Sequence, residues 1–130
     1  MKYPKVKQGI WQWEAKNLDL TLDGKTYNSE TSLQFEVISQ QNEFVTGQIL
    51  DNEGKYSGFK AIGVFKKNNK ACDFYVVSNF PDLRTFIFTP SSCKKNVVVE
   101  FTGIATDANT ASPYNPFVSS IIVKWIKPSI

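Results

Sequence analysis

The sequence predicts an all-β protein: an antiparallel up-and-down β-barrel of about eight to nine strands, with a β-sandwich as the alternative. Three observations carry this. Apolar and polar residues alternate with a period of two, as where Leu33, Phe35 and Val37 are separated by Gln34 and Glu36. Nine strand-like stretches recur at short spacings with turn chemistry between them, and none sustains a 3.6-residue period with helix caps. Gly47, Gly58 and Gly63 fall inside such stretches, and barrels bend at glycines or bulges.

The elements follow in order. Ile10 to Glu14 and Leu18 to Leu22 read as the first two strands, and the alternation from Thr31 as the third. Phe44 to Leu50 is the fourth, with Gly47 suggesting a bulge or tight bend. Asp51-Asn52-Glu53-Gly54 reads as a hairpin turn, because Asn and Gly tolerate positive φ. Lys55 to Lys66 resumes the extended pattern, and Lys67-Asn68-Asn69-Lys70 turns it back. Cys72 to Ser78 is rich in β-branched and aromatic residues, and Asn79-Phe80-Pro81-Asp82 breaks it. Arg84 to Thr89 follows, with a turn expected at Pro90-Ser91-Ser92 and the next strand at Lys95 to Ile104. Asp107 to Pro116 is the longest irregular stretch, and Phe117 to Ile126 is the last strand. Short connections favour antiparallel neighbours.

Composition bounds the function. With 130 residues and 42% hydrophobic content, the chain suits one domain, residues 1–130, with a core of its own. A net charge of +3 is too small for a disordered chain of this apolarity, and no apolar run approaches a membrane span. The first ten residues contain no apolar stretch of the signal-peptide kind. Arg84 is the one Arg against fourteen Lys, which argues against sequence-specific nucleic-acid binding. The clusters Lys66, Lys67 and Lys70, and Lys94 and Lys95, read as solvated turns.

The chain has no His, which removes the commonest general base and the commonest metal ligand. No triad is available to its Ser and Thr residues. Asp19, Asp23, Asp51 and Glu53 read as polar faces and turn formers, and Gly54, Gly58 and Gly63 do not match a phosphate loop. The chain is therefore expected not to be an enzyme, with no catalytic residue, metal or cofactor. Cys72 and Cys93 leave two readings open, a disulfide or two reduced thiols. A bridge would imply an oxidising compartment, secreted or periplasmic, and the localisation is otherwise unknown.

Gly9-Ile10-Trp11 on the opening strand resembles the Gly-x-Trp of the calycins, the lipocalin and avidin group of barrels. The final Ile121-Ile122-Val123-Lys124-Trp125-Ile126-Lys127 resembles their last strand, and Thr46-Gly47-Gln48 is loosely similar to avidin strands. The resemblance implies that Trp11 packs across the closed end of the barrel, with Lys124 or Lys127 over its ring and Trp125 beside it. A cation over an indole face contributes roughly 0.5–2 kcal/mol. The avidin biotin-binding set does not map onto this chain, so biotin is not implied. Lipocalins usually carry a helix before the last strand, where this chain has an Asn- and Pro-containing stretch.

Aromatic residues supply the remaining signal. Phe74, Val76, Phe86 and Phe88 with Phe101 read as two facing walls of the interior. Trp13, Tyr27, Tyr56, Tyr75, Phe88 and Tyr114 are the expected ligand contacts, and turns near Asn42, Asn79 and Asn109 are expected to close the mouth. The expected function is binding of a small hydrophobic or amphipathic ligand inside the barrel. The alternative is a protein-interaction module, such as a secreted inhibitor or effector, acting through loops or an exposed strand face. A void of about 300 Å³ or more favours the ligand, and a filled interior favours the outer surface. Apolar positions on both faces at Val97–Val99 and Ile121–Val123 suggest a homo-oligomer through residues 96–104 and 117–126.

Overall fold

The computed structural model describes residues 3–15, 18–21, 26–28, 32–68, 71–78, 84–107 and 117–129. Their regular structure is entirely β: β1 (Lys5–Val6), β2 (Gly9–Ala15), β3 (Leu18–Thr21), β4 (Thr26–Asn28), β5 (Ser32–Gln41), β6 (Phe44–Leu50), β7 (Tyr56–Asn68), β8 (Ala71–Ser78), β9 (Arg84–Lys94), β10 (Val97–Asp107) and β11 (Phe117–Lys127). Eight of these, β2 and β5 to β11, pair antiparallel in chain order. The β10–β11 and β11–β2 ladders close the ring. The protein is an up-and-down barrel.

Alternation decides which residues face inward. Trp11 opposes Phe35 and Trp13 opposes Leu33 across the β2–β5 ladder, while Gln12 opposes Gln34 between them. The Gln34 amide donates to Gln12 Oε1 at 3.1 Å on the polar face. Trp11, Val37, Val45, Phe65, Phe74, Phe88, Phe101, Ile121 and Val123 form the buried core together with Val6 and Val98.

The expected second strand, β3, is a strand but not a stave of the barrel. It continues beside β11 where β2 ends, with Ala15 opposite Ile121 and Leu20 opposite Val118, and β4 folds back on it. The two-residue β1, parallel to β10, and the three-residue β4 are too short for any periodicity to reveal them. No helix among the described residues is long and apolar enough to cross a membrane.

Turn chemistry differs from expectation in one place. The strand beginning at Arg84 runs on through Pro90 to Lys94, and the turn falls at Lys95-Asn96, both at positive φ. Register shifts between Val98, Glu100 and Phe101 mark a bulge opposite this stretch. The ladder to β8 stops at Phe74–Phe88, two positions before Pro90 would meet Cys72. Pro has no N–H to offer a neighbouring strand, so it is tolerated where pairing has lapsed. The 51–54 turn forms around Asp51, whose Oδ1 accepts from Glu53 N at 2.8 Å and Lys55 N at 2.9 Å. Gly54 supplies the positive φ there.

Candidate functional site

One end of the barrel is closed by the N-terminal segment. Val6 N donates to Gln40 Oε1 at 2.8 Å, and Gln40 Nε2 donates back to Pro4 O at 2.7 Å. A single amide of β5 thus clamps the segment on both sides of Lys5. Two indoles cap the next carbonyls: Trp11 Nε1 donates to Lys7 O at 2.8 Å and Trp125 Nε1 to Gln8 O at 3.0 Å. Trp11 and Trp125 are register partners on β2 and β11, which places their rings side by side. Gly9 lets the chain enter β2 between them. Its φ is +129°, and a Cβ there would lie 2.5 Å from Lys127 O and 2.8 Å from Trp125 Nε1.

Trp11 is fully buried and stacks on Phe35, with ring centroids 6.4 Å apart, so the large ring plugs this end as the resemblance implies. Neither Lys124 nor Lys127 sits over it. Val123 and Trp125 share the inward parity of β11, which turns Lys124 outward, where it faces Glu100 of β10 at 3.9 Å. The lysine over an indole is Lys7, 5.0 Å from the Trp125 centroid.

Above this plug the barrel is not filled. A cavity of about 180 Å³ extends from Val6 and Val37 to Leu33, Ile49 and Ser78. One side is aromatic, contributed by Trp11, Trp13, Phe35, Phe74, Phe88 and Phe101. Between Val45 and Ile49 the wall is nearly bare backbone, because Gly47 and Ala61 oppose each other directly on β6 and β7. Neighbouring Gly63 adds no space, since the Phe74 ring occupies the position a Cβ would take. Trp13 meets Phe88 edge to face at 5.8 Å, and Phe74 stacks on Phe101 at 4.9 Å.

No charged side chain lines the cavity among the described residues. Ser78 Oγ at its edge donates to Lys60 O at 2.9 Å, whereas the Thr46 hydroxyl bonds Ser39 Oγ on the outer face. The described residues hold no group of three His, Cys, Asp or Glu arranged for a metal. Both cysteines are free thiols, Cys72 half-buried on β8 and Cys93 exposed on β9. Burial pushes the Cys72 thiol up, against a smaller lowering by Lys67 and a small further rise from Asp73.

Of the expected contacts, the cavity takes Trp13 and Phe88. Tyr75 points outward, because its neighbours Phe74 and Val76 face in and successive side chains alternate. Tyr56 is 45% exposed at the start of β7 and does not reach the cavity. The side chain of Tyr27 and all of Tyr114 lie outside the described residues. Phe74 and Phe88 are register partners on adjacent strands, so with Phe101 they form one continuous arc rather than opposed walls. The Asn42 turn lies at the closed end with the N-terminal segment, whereas β8 and β10 finish at the opposite rim; Asn79 and Asn109 themselves fall outside the described residues.

Sequence reasoning missed Val6, Gln40, Leu33, Gly47 and Ala61. The inward parity of Gly47 and Ala61 was the available signal, since small residues facing large ones leave space. The outer wall carries a second feature. Phe44, Val64, Tyr75, Ile87 and Ile104 are successive register partners on β6 to β10, a continuous outward apolar row. Ile62 and Val77, paired beside it, are 50% and 65% exposed. Comparison of the chain with protein-family models, with curated proteins and with solved structures finds no match.

Proposed function

We propose that this protein binds a small apolar or amphipathic molecule inside its barrel, in the manner of a calycin, and catalyses no reaction. The cavity carries this reading. Protein interiors pack to crystal density with few voids larger than a water molecule, whereas this one holds 180 Å³ of space. Its lining is almost wholly apolar, so an apolar occupant would be held by the area it removes from water.

The volume lies below the roughly 300 Å³ at which sites for drug-sized ligands begin. An apolar cavity of about 150 Å³ is nevertheless enough to admit benzene, so the scale is that of one ring or a short chain. The test is a methyl NMR titration with toluene on the wild type and on Ala61→Leu, which fills the bare stretch. Shifts at Val37, Val45, Val76 and Val123, lost in the variant, are expected. Unmoved methyls at saturating toluene would refute the reading.

A second reading, protein interaction, is favoured by the outward row from Phe44 to Ile104. Apolar patches of a few hundred Å² on a monomer are often functional. The partner proposed is a second copy of the chain, meeting this wall rather than residues 96–104 and 117–126, of which only Ile104 lies on the row. Light scattering should then show a concentration-dependent dimer that Ile62→Lys with Val77→Lys abolishes; a monomer at every concentration removes the idea.

A further inference from the structure

We infer that the ligand class is a neutral, single aromatic ring, rather than an acyl chain or a charged amphiphile; this rests on the ligand-binding reading above. Three features of the cavity point to it. The first is charge. An ionised headgroup drawn into the lumen would lose its hydration, and no charged side chain on the described wall would compensate it. The Ser78 hydroxyl at the edge is neutral and already donates to Lys60 O.

The second feature is size. Val6 and the fully buried Trp11 stop the cavity below, and the Phe74 ring narrows it at Gly63. About 180 Å³ is on the scale of one ring with a short substituent.

The third feature is the wall chemistry. Six aromatic residues line the cavity around the bare stretch at Gly47 and Ala61. They already use edge-to-face geometry among themselves, Trp13 on Phe88 at 78° and Phe88 on Phe101 at 65°. An aromatic guest extends that pattern, placing its own face or edge against theirs, and gains the ring–ring term beyond its area. A saturated ring of the same size gains the area alone.

The experiment titrates benzene, cyclohexane and octanoate into the wild-type protein, followed by cavity methyl shifts. Each affinity is divided by that probe's own partition from water into hydrocarbon, which removes the greater hydrophobicity of cyclohexane. On that scale benzene should bind about two- to tenfold more tightly than cyclohexane, and octanoate should leave the cavity methyls unmoved. Equal corrected affinities, or octanoate binding most tightly, would overturn the aromatic class while leaving the ligand reading standing. Failure of all three probes would remove both. Trp13→Leu supplies the check on cause: it keeps the wall apolar but deletes a ring, so the corrected benzene preference should shrink. An undiminished preference would overturn the role given to the rings.

Discussion

Replacing Gly9 by Ala tests how the closed end is built. Two costs are readable from the structure. At φ +129° an L-residue is strained, a term of about 1–3 kcal/mol. The new Cβ also falls 2.5 Å from Lys127 O, 2.8 Å from Trp125 Nε1 and 3.1 Å from Pro128 Cα. Two of these are backbone atoms. The third belongs to a ring held by its bond to Gln8 O at 3.0 Å, so none gives way cheaply. Overpacking of this kind costs about 1–3 kcal/mol. The stiffer unfolded chain offsets about 0.4–1 kcal/mol, leaving a net loss of about 2–5 kcal/mol. Gly54→Ala is the matched control: its φ is +79°, but nothing lies within 4 Å of the added methyl, so only the backbone term applies. Urea unfolding followed by indole fluorescence should show Gly9→Ala shifted well beyond Gly54→Ala with an unchanged slope. Equal losses in the two variants would refute the close approach of β11 to Gly9 and the packing derived from it.

Three further outcomes follow from the geometry. Trp11→Phe keeps the stacking surface against Phe35 but removes the donor to Lys7 O; it should cost about 1–3 kcal/mol in chemical unfolding, the penalty of an unmet carbonyl. Gln40→Ala should release the N-terminal segment, raising the hydrogen-exchange rate of the Val6 amide while amides of the β5–β6 ladder keep their protection. A thiol reagent should modify exposed Cys93 well before half-buried Cys72. The raised Cys72 pKa also makes stability fall above about pH 8.5, where the unfolded thiol ionises first and the folded one lags. Cys72→Ala should flatten that alkaline limb of a pH–stability curve.

Much of the barrel was legible because a half-buried strand writes its two faces into alternate residues. Leu33, Phe35 and Val37 against Gln34 and Glu36 announce which side is wet. The same parity was enough to turn Tyr75 outward, since Phe74 and Val76 had already been placed inside; the ring was chosen for its chemistry when its position argued otherwise. Trp11 of Gly9-Ile10-Trp11 is fully buried at the end where the N-terminal segment crosses. The lysine expected over Trp11, Lys124 or Lys127, was placed there by the resemblance alone; the parity of β11 turns Lys124 outward, and the lysine found over an indole is Lys7, over Trp125.

What the chain determined alone is therefore local: strand periodicity, most turns, and the inward set of Trp11, Trp13 and Phe88. Which strands form the ring and which lie outside it, the Gln40 clamp on the N-terminal segment and the cavity itself were decided only in three dimensions. The physical reason is that a void is a difference between volumes. Gly47 and Ala61 leave space only because β6 and β7 set them opposite each other, with rings from β2, β5 and β8 to β10 around the lumen. No local pattern records which residues will meet there.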